Sequence, residues 1–256
     1  MQFKLDLIET KTKNMKKQLL MIALTLISLS SIAQDATRHF LYVGESKVKD
    51  MDVFRKKFPV QDAFTRKMNE GIMNNRVAHT SETGSLYILS FIDGDENLGK
   101  YIGNRANTSI KFREANPKIA EEMSNNTDEW RRSTWIRVNE LQFLPADYNM
   151  ENYNFRKIVM RTVPANEQEA FEKQQLQQHE LGLKIGVKYL SVTFRAVDGY
   201  PSNTYMTILP DNNILDFYTH YADRQQKRNN SKEFNDSMKT GVKSNITRID
   251  HLSRVY

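Results

Sequence analysis

The chain has 256 residues and no cysteine, which excludes disulfides, thiolate metal sites and cysteine nucleophiles together. Its formal charge of +6 is concentrated at the start: residues 1–14 contribute +1, Lys16 and Lys17 add +2, and the remainder carries +3. That balance does not point to nucleic acid, and the pairs Arg131-Arg132 and Lys227-Arg228 read as solvated helix faces.

Taken in order, the first informative segment is MKKQLLMIALTLISLSSIAQ, Met15 to Gln34. Two lysines precede an apolar run from Leu19 to Leu29, followed by Ser30, Ser31 and Ala33, the three-part plan of a secretory signal cleaved after Ala33. The run spans 11 positions, short of the roughly 20 residues that cross a bilayer. Residues 1–14, MQFKLDLIETKTKN, place two acids ahead of the basic pair, so they are read as an upstream mis-start and Met15 as the true start. Without a cysteine at the cleavage position there is no lipid anchor. The expected location is periplasmic or secreted, with no stable membrane anchor.

HFLYV, His39 to Val43, reads as a strand of aromatic and β-branched residues. Residues 48–76 read as helix, with a break near Pro59. VAHTSETGSLYILSFI gives two strands around the turn Ser81 to Gly84, and 96–132 a long helical region interrupted near Pro117. STWIRVNELQFL closes this part as a strand. After a linker, 147–154, the same order returns. FRKIVMRTV is a strand, and a helix follows in which Asn166 and Glu169 have capping-box spacing. KYLSVTFRAV alternates Leu190, Val192, Phe194 and Ala196 against Tyr189, Ser191, Thr193 and Arg195, turns at Asp198-Gly199, and returns as NTYMTIL. In the last helical region Ile214, Phe217, Tyr218 and Tyr221 fall at i, i+3, i+4, i+7 and predict a core-facing stripe. Phe234, Met238 and Val242 continue one, and ITRIDHLSRVY ends as a strand.

Each half thus reads strand, helix, strand, strand, helix, strand, over 35–146 and 155–256. RVNEL (Arg137 to Leu141) and RIDHL (Arg248 to Leu252) stand as the corresponding last strands, with Arg137 expected on Arg248 and Asn139 on Asp250. Tyr87 and Tyr205 occupy similar places in their strands. This order predicts an α+β fold of two tandem ferredoxin-like β-α-β-β-α-β units, with antiparallel sheets and outer helices.

Two such halves resemble the dimeric α/β-barrel group, which contains antibiotic-biosynthesis-type monooxygenases. The resemblance rests on element order and the duplicated last strand rather than on a catalytic motif. It implies two facing four-stranded sheets, here within one chain, helices outside, and ligands in the space between the sheets. On that reading the faces opposite the helices carry a ligand site of Tyr87, Arg137, Tyr189, Arg195, Tyr205, Arg248 and Asp250. The plainer reading is that Arg248 and Asp250, at i, i+2 on one strand face, form a salt-bridged solvated surface.

No two of the five histidines, His39, His79, His179, His220 and His251, have a metal-ligand spacing. No metal and no cofactor is therefore called for, although the resemblance keeps haem ligation by a single histidine open, with His179 or His220 as candidates. His251 is expected to pack on the helix side with Ile249. No nucleophile elbow, phosphate loop or dinucleotide fingerprint occurs, and Glu121-Glu122 reads as surface. Two functions remain: an exported module binding a small molecule or partner protein between or beside the sheets, or a cofactor-independent oxygenase-like or haem-linked enzyme of the barrel group. Monomer and homodimer both stay open.

Overall fold

The computed structural model describes residues 37–145, 148, 152–187 and 190–255. The signal segment and Tyr189 lie outside the described residues. Among the described residues eight strands and six helices follow in the order β1 (His39–Lys47), α1 (Met51–Met68), β2 (Asn75–Ser81), β3 (Ser85–Asp93), α2 (Asp95–Ala115), α3 (Pro117–Asn126), β4 (Arg131–Phe143), β5 (Phe155–Thr162), α4 (Gln168–Lys184), β6 (Ser191–Asp198), β7 (Thr204–Asp211), α5 (Ile214–Asn229), α6 (Lys232–Lys239) and β8 (Asn245–Arg254). All strand pairings are antiparallel. They close into a barrel in the order β1-β3-β2-β8-β5-β7-β6-β4. The first four strands meet the last four at two seams, β2 with β8 and β4 with β6, so one chain supplies the whole barrel.

Strand alternation decides which side chains fill the interior. Leu41, Val43, Leu89, Trp135, Phe194 and Met206 belong to one buried cluster inside the barrel. Trp135 has no exposed surface, and its indole N–H donates to Ser133 Oγ at 2.8 Å. Tyr200, from the β6–β7 turn, lies with its ring 5.1 Å from that of Trp135, and Arg131 covers Tyr200 at 4.2 Å. Eight strands leave an interior just wide enough for side chains, and here they occupy it. Of the two places expected for a ligand, between or beside the sheets, the first is occupied by these side chains.

The opposite faces carry the helices. Phe54 and Phe58 of α1 and Met123 of α3 pack on Ala78, Leu86 and Ile88. Tyr101 of α2 joins Phe40, Tyr42 and Ile92, and Phe171 of α4 packs with Val138, Leu141 and Tyr205. Asp50 caps α1 by accepting from Asp52 N at 2.9 Å and Val53 N at 3.1 Å, a contact worth about 1 kcal/mol. Pro59 sits inside α1 without ending it, and Pro117 opens α3, where its missing N–H has no helical partner to lose.

Several local expectations are corrected. Asn166 and Glu169 form no capping box, because a 3-10 turn at Ala165–Glu167 intervenes and makes Glu167 the cap residue of α4. In α5 only Phe217 of the expected stripe is buried, at 1%, whereas Ile214, Tyr218 and Tyr221 are exposed. Arg131-Arg132 opens β4 rather than lying on a helix. Arg137 lies one residue beyond the Phe40–Ile136 pair, opposite the start of β1, while Arg248 pairs with Met160 near the end of β5. The two pentapeptides therefore occupy different registers. Tyr87 points into the barrel core and Tyr205 into the cluster under α4, the face reversal that a one-residue shift imposes.

One interior group sets a pH dependence. His79 is fully buried, and Arg156, 1% exposed, donates to its Nε2, while its Nδ1 has no protein partner. Burial first, then the charges of Arg156 and Arg254, hold its pKa well below the usual value. The unfolded chain thus binds a proton near pH 6.5 that the folded chain refuses, so stability is full above that pH and falls as pH drops below it, by up to about 1.4 kcal/mol per pH unit. Urea unfolding of the wild type and His79→Gln between pH 7.5 and 5.5 should show a steeper acid loss in the wild type, and parallel losses would contradict this. Glycines give a second test. Gly84 and Gly199 both have positive φ, but a Cβ at Gly84 meets nothing while one at Gly199 falls 2.5 Å from Arg132 O. Gly84→Ala should cost roughly 1–2 kcal/mol for its left-handed backbone. Gly199→Ala should cost clearly more in the same unfolding assay, and equal losses would show that the turn does not press on β4.

Candidate functional site

Of the residues expected to line a site, Tyr87, Arg248 and Asp250 meet at one end of the barrel, together with Glu45, which the sequence reading missed. Arg248 donates to both Glu45 oxygens, at 2.9 and 2.6 Å, and its Nε lies 2.6 Å from Asp250 Oδ2. Tyr87, contacted by the same guanidinium, donates to Asp250 at 3.0 Å. Burial first, then Glu45 and Asp250, raises the phenol pKa of Tyr87. Burial works against the Arg248 charge, yet hydrogen bonding to Glu45 and the surrounding charges hold it firmly protonated. The i, i+2 pairing of Arg248 with Asp250 is present, but largely out of solvent, with the Asp250 side chain 8% exposed. These four side chains satisfy one another.

Arg195 and Tyr205 lie on the other face. Tyr205 donates to Glu172 of α4 at 2.7 Å, and Arg195 reaches the same oxygen at 3.5 Å. The apolar face of β6 is the one turned into the barrel, so its polar face meets the helix, the reverse of the expectation. Arg137 pairs with Phe194 on the inward side near the barrel end. It is half-buried, and burial lowers its pKa against the opposing charge of Asp93. His251 lies on the outer side, 3.1 Å from Tyr218 Oη.

Open space is found under the helices. A cavity of about 720 Å³ separates the outer face of β1 and β3 from α1, α2 and α3. Its apolar wall includes Ile88, Phe112, Met123 and Trp130. Gly44 keeps β1 close to Trp130: a Cβ there would stand 3.3 Å from the indole. Helix α2 contributes Tyr101, Arg105, Thr108 and Phe112 at i, i+4, i+7, i+11, a stripe that brings polar and aromatic groups to one face.

Four residues of this wall each hold a side-chain polar atom that has no hydrogen-bond partner in the protein and almost no accessible surface: Tyr42 Oη, Asn69 Oδ1, Arg76 Nε and Thr108 Oγ1. Each belongs to a buried residue. Buried polar groups are normally partnered, and each orphan costs about 1–3 kcal/mol. The rest of these side chains is fixed. Asn69 Nδ2 donates to Thr65 O at 2.9 Å, Arg76 pairs with the buried Asp62 and covers the Phe58 ring at 5.0 Å, and the Tyr42 ring meets Tyr101 edge-on at 5.4 Å. Arg105 stands 4.8 Å from the Tyr42 ring centre. Burial raises the Tyr42 pKa in spite of Arg105 and Arg132, so its hydroxyl stays protonated and can donate. The cavity thus combines aromatic and apolar walls with polar residues whose side chains are not fully satisfied by the protein.

A second cavity, of about 1010 Å³, lies under the helices of the second half and is bordered by His179, Phe217, His220 and Arg224. The His179 ring stacks on Phe143 with centres 3.4 Å apart. Among the described residues no group of three or more His, Cys, Asp or Glu side chains is placed to hold a metal ion, and no helix is long and apolar enough to cross a membrane.

No protein-family model matches the chain, and no curated protein matches its sequence. Solved structures do match its fold. A provisionally assigned monooxygenase from Lactobacillus acidophilus NCFM aligns over 86% of this chain and 95% of its own, with a TM-score of 0.56 and 8% identity. An anthrone oxidase-like protein aligns over 88% and 93%, at 0.51 and 10%. A provisionally assigned chlorite dismutase aligns over 86% and 96%, at 0.52 and 10%. Identities this low establish likeness of fold alone, and the fold of this chain is that of the dimeric α/β-barrel proteins.

Proposed function

We propose that the protein is a cofactor-independent, oxygenase-like enzyme acting on a small polar aromatic molecule held in the cavity beneath α1, α2 and α3. The observation that carries this reading is one aromatic-walled space whose lining residues Tyr42, Asn69, Arg76 and Thr108 each hold a side-chain polar atom without a protein partner. The fold shared with a provisionally assigned monooxygenase and an anthrone oxidase-like protein supports the reaction class. We further read the two four-stranded halves as tandem ferredoxin-like units, each with a ligand space beneath its own helices. The expectation of export rests on Met15 to Ala33, outside the described residues.

An oxidation of this class balances without a bound cofactor. Dioxygen is the oxidant: two C–H bonds of an activated ring CH2 break, one oxygen atom stays as a carbonyl, and the other leaves as water. Tyr42 would donate to a ring carbonyl and favour the enol form that reacts. Asn69 and Thr108 would fix the ring edge, and Trp130 and Phe112 would shield it from water. No histidine borders this cavity, and the two histidines open to haem ligation, His179 and His220, border the second cavity instead.

Oxygen uptake with anthrone as the trial substrate tests the reading. The wild type should consume oxygen with no Soret band in its absorption spectrum. Tyr42→Phe should lose about fivefold in kcat/KM, the equivalent of one hydrogen bond of about 1 kcal/mol. Tight binding of the aromatic without oxygen uptake would instead favour the binding-module reading. A Soret band from the purified protein would favour the haem-linked one.

A further inference from the structure

We infer that the cavity of the second half is a separate acid–base site, with His220 as the proton acceptor, Asp211 as its positioning residue, and a small phenol or enol as its ligand. This does not rest on the function proposed for the first cavity, which shares none of these residues.

Asp211 ends β7 and has a side chain only 11% exposed. Its Oδ1 accepts from Asn212 N at 2.9 Å, which fixes the carboxylate. Its Oδ2 lies 2.9 Å from His220 Nδ1. A carboxylate in that position holds the proton on Nδ1 and leaves Nε2 as the lone-pair nitrogen, the tautomer a base requires. His220 stands on α5, one turn from Phe217 and Arg224, and borders a space of about 1010 Å³. Leu183, Leu190, Leu209 and Phe217 give that space an apolar wall.

The charged groups around it are balanced, Asp211 and Asp223 against Arg224 and Lys227. Arg224, 7% exposed, lies 5.5 Å from the Phe217 ring centre. Lys227 donates to Asp223 at 2.8 Å and to Gly186 O at 3.1 Å. The titratable groups bordering the cavity besides His220 are Asp211, Asp223, Arg224, Lys227, His179 and Tyr153. In the proton transfer the ligand O–H bond breaks, an N–H bond forms at Nε2, and the electron pair remains on the ligand oxygen. The imidazolium is then stabilised by Asp211, and the phenolate stays paired with that imidazolium. No oxidant or metal is needed. A surface ion pair of the same geometry would bind nothing.

The probe is para-nitrophenol, whose phenolate absorbs in the visible. Titrated with the full chain below the pH at which the free probe ionises, the bound probe should show phenolate absorbance, with its ionised fraction raised at least about tenfold, one pKa unit. His220→Gln should abolish that rise, and Asp211→Asn should reduce it. Tyr42→Phe, in the other cavity, should leave it unchanged. His220 is more than half exposed, so its variant should keep the wild-type unfolding midpoint. Absence of phenolate absorbance in the wild type, an undiminished rise in folded His220→Gln, or loss of the rise in Tyr42→Phe alone would each overturn the inference.

Discussion

Closure of eight antiparallel strands into one barrel within a single chain governs the rest of the structure. A barrel of that strand number has an interior that side chains fill, and Trp135, Phe194, Met206 and Leu89 fill it here. Any ligand must therefore go elsewhere. The outer faces of the two half-sheets are the alternative, because each must be covered by helices. Helices packed over a sheet that carries Gly44 and Ser90 leave space beneath them. Both cavities lie in that layer.

The same closure forces charged groups out of water at the barrel interior. Glu45, Tyr87, Arg248 and Asp250 meet this cost by pairing with one another, two anions and one cation around a protonated phenol. Breaking one member of such a buried set would leave the others uncompensated. That gives Arg248 a structural reason to be present, independent of any ligand. His79 beside Arg156 meets the cost differently, by remaining neutral. Burial also pushes the Arg156 pKa down to about 10, although Tyr148 draws it upward.

Element order was legible in the sequence because its signals are local. The turn at Ser81–Gly84, the Asp198-Gly199 corner and the β6 alternation all depend on neighbouring residues, and Pro117 marks a helix start by its own geometry. Register and facing were not legible, because they depend on partners far along the chain. RVNEL and RIDHL look alike, yet one arginine lies opposite the start of β1 and the other opposite the end of β5. The apolar face of β6 reads equally well as helix-facing or barrel-facing until the seam with β4 is known. The first cavity was missed for a related reason: Tyr42, Asn69, Arg76 and Thr108 have no common motif and converge only in three dimensions. The polar–aromatic stripe of α2, from Tyr101 to Phe112, was the one sequence signal pointing there.

The chain has two tryptophans, and they report on the two spaces in contention. Trp130 stands in the wall of the first cavity, whereas Trp135 is sealed inside the barrel. Their indole N–H signals in a nitrogen–proton correlation spectrum, followed while anthrone is titrated, test directly whether ligand enters under the helices rather than between the sheets. The Trp130 signal should move with saturable dependence on anthrone while the Trp135 signal stays in place. Movement of Trp135 with Trp130 unaffected would contradict the account.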